Sequence, residues 1–320
     1  MKPALDHAAN TTIDADQGLL QLGRYLSETG YAHIAVTPLT HQHNNHRAVD
    51  GSAKDMRDIF GWSRAFKRSA VTDQQFQLMR DADILVQNGD LWRSKIRWSS
   101  LGDLLCVHSA YPTDATEAVF FGPDTYRFAQ LVEPFLQTNS HAIRRAVDIG
   151  CGSGAGAMLI ARACPAAEVL AVDINHQALR LTRINALLAG IGNVQPIYSN
   201  LLNHVEGQFD LIIANPPYML DAQERAYRHG GGKLGAGLSV KIVEAALGRL
   251  APGGTLLLYT GVAMIDGRDP FLQTLQQRLA NLSCTWRYRE MDPDVFGEEL
   301  LKPAYAQVER IAAVALTLSV

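Results

Sequence analysis

Short β-branched runs alternate with helical segments from about Ala142 to the C-terminus. This alternation is typical of a parallel sheet covered by helices on both faces, so the chain is predicted to be an α/β protein. Near the end, two further apolar runs predict strands that can pair antiparallel at the sheet edge. The strand candidates are RAVDIG, EVLAVDI, NVQPIYS, FDLIIANP, TLLLYTG, TWRYREMD and RIAAVALTLS. The helix candidates are AGAMLIARAC, NHQALRLTRINALLAG and SVKIVEAALGRL.

The first 110 residues have a different pattern. QGLLQLGRYLSETG and AKDMRDIFGWSRAF carry apolar residues at helical spacing, and TDQQFQLMRDADIL begins with Thr72 as an N-cap. LWRSKIRW and DLLCVHS predict the two strands of a hairpin. We therefore predict two domains: a mainly helical N-terminal domain over residues 1–110, with a winged helix as one form it can take, and an α/β domain over residues 111–320.

Composition excludes few partners but favours a globular protein without a membrane segment. The 320 residues are 47% hydrophobic and 19% charged, with a net charge of −3 and a pI of about 6.4, so no overall basic excess indicates nucleic-acid binding. The apolar runs are too short to cross a bilayer, and the N-terminus lacks the pattern of a signal peptide. We predict a cytoplasmic protein with no membrane partner; the sequence does not fix its oligomeric state. The four cysteines are scattered, which favours free thiols.

Three histidines lie close together in THQHNNHRAVDG: His41, His43 and His46. They raise the question of a metal site, but no acidic or cysteine ligand accompanies them and the segment is polar. We expect a solvated loop here and predict no metal.

Arg93, Lys95 and Arg97 alternate along one predicted strand. They can form a basic face that meets an anionic partner, or the solvated face of a half-buried strand. The second interpretation is preferred.

The stretch VDIGCGSGAG, Val147 to Gly156, follows a strand and opens a helix. Gly150, Gly152 and Gly154 remove Cβ atoms where a tight turn lets a ligand touch the backbone. The next strand ends in Asp173, 25 positions after Asp148, where a carboxylate can accept both hydroxyls of a ribose. The spacing therefore predicts a nucleoside-binding site.

Asp148 distinguishes between two classes of nucleoside ligand. Its carboxylate would repel the pyrophosphate of a nicotinamide cofactor and attract an ammonium group. A ligand with an amino-acid end and a nucleoside end fits better, and S-adenosylmethionine is such a ligand.

With these motifs, residues from about 118 to 320 resemble the class I S-adenosylmethionine-dependent methyltransferases. The resemblance implies a Rossmann-like, seven-stranded sheet, mostly parallel with an antiparallel edge strand. Asn200 stands where that family often places an aspartate against the adenine. The cofactor contacts that the resemblance and the motifs imply are those of Thr125, Asp148, Gly150, Cys151, Gly152, Gly154, Asp173, Ile174, Asn200, Leu201 and Asn215.

The apolar run IIANPPYML ends in Asn215, two prolines and Tyr218. Since proline cannot donate to a sheet ladder and restricts the residue before it, this segment must leave the sheet as a stiff ledge. NPPY resembles the motif of superfamily members that methylate a planar nitrogen, such as the glutamine methyltransferases of release factors and the adenine-N6 enzymes. The resemblance implies that Asn215 and the Pro216 carbonyl accept the two hydrogens of an NH₂ group, that Pro217 keeps the ledge rigid, and that Tyr218 stacks on the substrate.

Two flanking segments extend the resemblance. AVFFGPDTYRFAQLV is similar to the segment that crosses the cofactor pocket in glutamine methyltransferases, with Thr125 in its threonine position. There Phe120 and Phe121 pack either against the cofactor or in an ordinary core. HGGGKLGAGLSVKI resembles the segment that follows NPPY, and its glycines at 230–232 permit either a mobile cover or a loop without a catalytic part.

The methyl acceptor stays open between several classes. Because the chain is slightly acidic, a glutamine of a protein or peptide, presented by the N-terminal domain, is preferred over a base of RNA or DNA. A small-molecule acceptor is a third alternative. A binding protein that only senses the cofactor is a fourth, although such a protein needs no amide-binding ledge.

Overall fold

The computed structural model describes residues 14–47, 51–221, 225 and 227–320. The helices are α1 (Ala15–Glu28), α2 (Pro38–His46), α3 (Met56–Phe60), α4 (Asp73–Asp81), α5 (Pro123–Asn139), α6 (Ala155–Ala163), α7 (His176–Leu188), α8 (Gly237–Leu247) and α9 (Pro270–Leu279). The strands are β1 (Phe66–Lys67), β2 (Leu85–Asn88), β3 (Leu91–Ser94), β4 (Ile96–Leu101), β5 (Leu104–Ser109), β6 (Arg145–Ile149), β7 (Glu168–Asp173), β8 (Val194–Tyr198), β9 (Phe209–Ala214), β10 (Leu250–Met264), β11 (Thr285–Asp292) and β12 (Arg310–Ser319). Short 3₁₀ turns cover Arg68–Ala70, Ser140–Ala142, Lys233–Gly235, Gly297–Leu301 and Pro303–Tyr305.

A seven-stranded sheet with the order β11-β12-β10-β9-β6-β7-β8 forms the centre of the protein. Strands β6 to β10 pair in parallel, whereas β12 runs antiparallel to both β10 and β11. The predicted α/β class, the mostly parallel sheet and the antiparallel pair at its edge are confirmed. The strand that reverses direction, β12, lies one place in from the edge.

Both faces of this sheet are buried, as the continuous apolar runs predicted. In β9, Leu211 and Ile213 belong to the core on one face, while Ile212 and Ala214 belong to the core on the other. All four side chains are fully buried. The sheet is therefore a rigid frame, and the loops at its carboxyl edge are positioned by strands that cannot shift independently.

The N-terminal region contains more strand than the sequence predicted. Strands β1, β3 and β2 form a small antiparallel sheet, and β4 and β5 form the predicted hairpin around a two-residue turn in which Gly102 has φ of +59°. The segment LWRSKIRW is split between β3 and β4, and β2 was not predicted. Helix α4 begins after Thr72, as predicted, and its cap is a full capping box with Gln75.

The N-terminal region shares a buried cluster with the α/β region. Leu22 and Trp98 pack in the same core as Ile184 of α7. Asn185, also on α7, accepts a hydrogen bond from the backbone N–H of Val107 at 2.8 Å and donates to the carbonyls of Val107 at 3.1 Å and Ser153 at 2.9 Å. One side chain thus joins β5 to the loop that follows β6. The domain boundary near residue 110 stays a prediction.

The prediction of a solvated loop around the three histidines was wrong, because Pro38–His46 forms helix α2; residues 48–50 of the same segment lie outside the described residues. Thr37 caps the helix by accepting a hydrogen bond from the N–H of Thr40, and Pro38 occupies the first turn. His41 is buried, with its ring centroid 5.5 Å from that of Trp62 and 4.2 Å from that of Tyr111. The histidine thus packs among aromatic rings.

The preferred interpretation of a solvated strand face is wrong for Arg97, which is buried, and the alternative of a three-residue basic face is excluded for the same reason. The Nε of Arg97 donates to the carbonyl of Gly61 at 3.1 Å, and burial lowers the pKa of its guanidinium to about 10. Arg93 and Lys95 remain exposed. Two separated cations therefore replace the three-residue basic face.

Two further observations concern the chain as a whole. Cys106, Cys151, Cys164 and Cys284 are free thiols, as predicted. Among the described residues, no helix has both the length and the apolar character needed to cross a bilayer.

Candidate functional site

One pocket lies at the carboxyl edge of the parallel strands. Because β7, β6 and β9 are adjacent and parallel, the loops that follow them meet at this edge. The loop after β6 carries the glycines, β7 ends in Asp173, and β9 leads into NPPY. The N-terminal turn of α5 and the segment before it form the facing wall.

The glycine loop turns sharply because its residues adopt backbone angles that favour glycine. Gly150, Gly152 and Gly154 have φ of +71°, +55° and +80°. The N–H groups of Gly150 and Cys151 both donate to the carbonyl of Val172, at 2.8 and 3.1 Å, which attaches the loop to β7. Gly154 is the N-cap of α6, and a Cβ at this position would lie 2.7 Å from the Thr182 side chain. The loop is therefore fixed by the protein itself.

Two carboxylates of the pocket accept hydrogen bonds from backbone N–H groups. Asp173 accepts from Gly152 at 3.0 Å and from Asn175 at 2.9 Å, and burial raises its pKa. Asp148 accepts from Ala157, in the first turn of α6, at 2.9 Å. Burial, with a smaller contribution from the Asp173 charge, raises the pKa of Asp148 to about 7. Each carboxylate keeps lone pairs for a ligand.

Apolar and polar groups alternate around the same end of the pocket. Ile174 is 48% exposed although it is a large apolar residue, and it lines the pocket together with Asn200 and Leu201 at the end of β8. Phe120 also lines the pocket. Phe121 is instead a core residue, stacked on His108 at 5.1 Å between ring centroids. Phe121 therefore follows the core interpretation, and packing of Phe120 against the cofactor stays a prediction.

The NPPY segment forms the other end of the pocket. Asn215, Pro216 and Pro217 line it, and Asn215 follows Ala214, which pairs with Ile149 of β6. The Asn215 amide has no hydrogen-bond partner among the described residues. A half-buried amide without a protein partner is available to a ligand.

Tyr218 is held more tightly than the sequence indicated. Its hydroxyl donates to Asp124 at 2.5 Å, and its ring lies against Gly261 of β10, where a Cβ would come within 2.1 Å of the ring. The Phe296 ring meets it edge to face at 5.9 Å. Only 6% of Tyr218 is exposed, so its predicted stacking on a substrate depends on the part of the ring that lines the pocket.

The glycine-bearing segment after NPPY packs beneath the ledge. A Cβ at Gly230 would lie 2.7 Å from the carbonyl oxygen of Pro217, and one at Gly235 would lie 2.0 Å from that of Tyr218. The N–H of Gly230 donates to the carbonyl of Met219 at 2.9 Å. These glycines allow close approach of two backbones, and this contact supports the ledge from below.

Several residues of the pocket were not predicted from the sequence, among them Asp124, Arg228 and Phe296. Asp124 lies in the first turn of α5, beside the predicted Thr125. Arg228 donates to Glu299, and its buried Nε has no hydrogen-bond partner. Because Asp124 directly precedes Thr125, which the resemblance implied as a cofactor contact, the sequence could have indicated Asp124 as a pocket residue. Arg228 and Phe296 are brought in by loops that carry no motif.

The structure brings nearly all of the predicted site residues to one pocket. The residues that line it are Thr125, Asp148, Gly150, Cys151, Gly152, Asp173, Ile174, Asn200, Leu201, Asn215, Pro216, Pro217 and Tyr218. Gly154 is not among them, because it packs against α7 behind the loop. The functions assigned to these residues stay predictions.

Residues 129–264 match the family model described as methyltransferase small domain. Over these residues the chain is similar to methyltransferases. The matched segment includes the glycine loop, Asp173 and NPPY, whereas the pocket wall formed by residues 118–128 and Phe296 lies outside it. The predicted resemblance to the class I methyltransferases, and among them to the release factor glutamine methyltransferases, is confirmed.

Several relatives of the methyltransferase domain are named for glutamine methylation. The release factor glutamine methyltransferase of Deinococcus radiodurans is 34% identical over 165 residues, which cover 48% of this chain and 55% of that protein. That of Lactococcus lactis is 27% identical over 61% of this chain and 72% of its own length. The ribosomal protein uL3 glutamine methyltransferase of Neisseria gonorrhoeae is 33% identical over 45% of this chain and 49% of its own length. The chain spans about half the length of the first of these relatives.

The fold is also similar to that of a solved complex of the enzyme aTrm5 with leucine tRNA. The TM-score is 0.51, and the match covers 99% of this chain and 83% of that chain at 13% sequence identity. At this identity the likeness concerns the fold alone.

Proposed function

We propose that the chain is an S-adenosylmethionine-dependent N-methyltransferase whose acceptor is the side-chain amide of a glutamine in a protein. The observation that carries this proposal is the position of Asn215. Its amide has no hydrogen-bond partner among the described residues. Asn215 lines the same pocket as Gly150 and Asp173, and the strands that lead to Asn215 and Asp173, β9 and β7, both pair with β6. The names of the relatives support glutamine as the acceptor.

The cofactor end of the pocket fits S-adenosylmethionine. Asp173 can accept the ribose hydroxyls, and the half-exposed Ile174 offers an apolar surface to the adenine ring. Asp148 offers negative charge to the ammonium of the amino-acid end. When bound, the cofactor supplies an electrophilic methyl group on a positively charged sulfur. The chain contributes the orientation of that group through the glycine loop.

At the acceptor end, the chain's own residues hold the amide for attack. The Asn215 side-chain oxygen and the Pro216 carbonyl each accept one N–H, so that the nitrogen faces the methyl group. The amide nitrogen forms the new bond to the methyl carbon as the carbon–sulfur bond breaks. The electron pair of the broken bond stays on sulfur, and the nitrogen loses one proton to solvent. The two oxygen acceptors stabilise the positive charge that develops on nitrogen. Positioning of this kind can lower the barrier by roughly 7–11 kcal/mol.

The charges of the pocket favour a protein acceptor over a polyanion. Asp124, Asp148 and Asp173 line the pocket, and among the described residues Arg228 is the one lysine or arginine that does so. Arg228 is already paired with Glu299, which is 3% exposed. The next arginine along, Arg225, is paired with Asp221. Cations that are matched by carboxylates give little attraction to a phosphate backbone.

The test is methyl transfer to defined proteins. Purified protein is incubated with isotopically labelled S-adenosylmethionine and, separately, with release factors and with ribosomal protein uL3 from the same organism. We expect label on one of these proteins, located on a glutamine side chain by mass spectrometry, and none with Asn215→Ala. Label that appears instead in nuclease-sensitive or low-mass material from a cell extract would contradict the protein acceptor.

A further inference from the structure

A buried carboxylate links the acceptor end of the pocket to the wall that faces it. Asp124, in α5, is 3% exposed. Its Oδ2 accepts from the hydroxyl of Tyr218 at 2.5 Å, and its Oδ1 accepts from the hydroxyl of Tyr259 at 2.8 Å and from Arg127 at 3.2 Å. Three elements therefore converge on one carboxyl group: α5, the NPPY segment and β10.

Burying the Asp124 carboxylate costs solvation free energy. A carboxylate that leaves water loses several kcal/mol of solvation, which strong hydrogen bonds must offset. Burial raises the pKa of Asp124, and the three donors act in the opposite direction. A phenylalanine at position 218 and an apolar residue at position 124 would fill the same space without this cost.

The Tyr218 ring has little freedom once its hydroxyl is bound. Gly261 leaves room for the ring on one side, since any Cβ there would come within 2.1 Å of it. Phe296 meets it from another side. The hydroxyl is directed at Asp124, so Tyr218 offers a substrate its ring and not its oxygen.

We infer that Asp124 is a positioning residue that fixes the Tyr218 ring and thereby sets where the acceptor amide lies relative to Asn215. Asp124, Tyr218 and Asn215 all line the pocket, and Tyr218 follows Asn215 by three positions on a segment stiffened by two prolines. Because the hydroxyl of Tyr218 is bound to Asp124, the position of α5 fixes the position of the Tyr218 ring next to the NPPY ledge. The part of this inference that concerns the acceptor rests on the proposed function.

The kinetic test compares Tyr218→Phe, Asp124→Asn and the double variant. We expect kcat for the protein acceptor to fall about 10- to 100-fold in each single variant, because a small misplacement of the reacting groups has an effect of this size. The double variant should be no slower than the slower single variant, because both changes act on the same Tyr218–Asp124 hydrogen bond. The dissociation constant of S-adenosylmethionine should change by less than about threefold in all of them. Unchanged kcat in Tyr218→Phe, or losses that multiply in the double variant, would overturn the inference.

A matched control uses the same chemical pair elsewhere. Tyr288 donates to Asp269 at 2.6 Å at the outer edge of the sheet, away from the pocket. Tyr288→Phe should lower the melting temperature and leave kcat unchanged. If Tyr218→Phe behaves like this control, Asp124 has only a structural role.

A second measurement does not depend on the acceptor. A crystal structure of Asp124→Ala should show the Tyr218 ring displaced from Gly261 or in two orientations; Tyr218→Phe, which removes the hydroxyl donor of the same bond, replaces it if the alanine variant does not fold. A ring that is unmoved would overturn the inference. Should the wild-type protein methylate no protein, the proposed function fails, and this structure still decides whether Asp124 fixes the ring.

Discussion

The two ends of the pocket differ in how their polar groups are satisfied. At the cofactor end, Asp148 and Asp173 accept hydrogen bonds from backbone N–H groups of the loops around them. At the acceptor end, the amide of Asn215 and the Nε of Arg228 have no hydrogen-bond partner among the described residues, although this Nε lies 3.9 Å from Asp221 Oδ1. The first end is built in advance, while the second keeps polar groups that a ligand must satisfy. Under the proposed function, this difference predicts that cofactor affinity and acceptor turnover depend on separate residues and can be changed separately.

The largest effect is expected at the acceptor end. Asn215→Ala removes one of the two oxygens proposed to hold the amide, so kcat should fall by about 10³-fold or more. The affinity for S-adenosylmethionine, measured by calorimetry, should stay within about threefold of wild type. Ordinary turnover in this variant would contradict the proposed mechanism. Loss of cofactor binding in this variant would contradict the claim that the two ends of the pocket act separately.

The next effect is expected at the cofactor end. Asp173→Ala removes the acceptor proposed for two ribose hydroxyls, and charge-assisted hydrogen bonds of this kind correspond to about 100-fold in the dissociation constant of S-adenosylmethionine. At saturating cofactor, kcat should fall by only a few-fold. Asp90→Ala, in the exposed turn between β2 and β3, is the control. An unchanged dissociation constant would show that the nucleoside binds elsewhere.

A smaller effect is expected from pH. The pKa of Asp148 is raised to about 7, so this carboxyl is negatively charged above that pH and protonated below it. Since the charged form attracts the ammonium of the cofactor, binding should weaken as pH falls through 7, by about tenfold between pH 7.5 and pH 6. In Asp148→Asn this dependence should be largely lost. A wild-type profile that is flat over this range would argue against contact between Asp148 and the ammonium.

The smallest effect is expected at Arg228. Arg228→Met should raise KM for the protein acceptor by about three- to fivefold, because the Nε–H donor, which has no hydrogen-bond partner among the described residues, is lost from the acceptor end. The affinity for the cofactor should not change. Arg278→Met, which breaks an exposed ion pair with Glu244 outside the pocket, is the matched control. Weaker binding of S-adenosylmethionine in Arg228→Met would contradict the claim that the two ends of the pocket act separately.

Much of the methyltransferase domain was predictable because its signals are local. The glycine loop and NPPY are each contiguous, and the strands that position them are apolar runs with clear ends. The pairing of Asp124 with Tyr218 was not predictable, since the two residues are 94 positions apart and meet only through the fold. Arg228 and Phe296 enter the pocket on loops, where sequence patterns are weakest.

The N-terminal region was harder to predict for a different reason. Its polar segment around His41 was interpreted as a loop, although Thr37 and Pro38 are a local signal for a helix start. The burial of Arg97 could not be inferred from its strand, because alternation predicted an exposed side chain and packing against Gly61 decided otherwise. The local helix signal at Thr37 and Pro38 was present but not used. The alternation around Arg97 was overridden by tertiary contacts.

The most direct test is a crystal structure with S-adenosylhomocysteine and a peptide that carries the acceptor glutamine in its unmethylated form. The account predicts the nucleoside over Gly150 and Gly152, with the glutamine amide hydrogen-bonded to the Asn215 side chain and the Pro216 carbonyl and its nitrogen directed at the sulfur. A nucleoside bound at another place, or an amide that is held by residues other than Asn215 and Pro216, would contradict it.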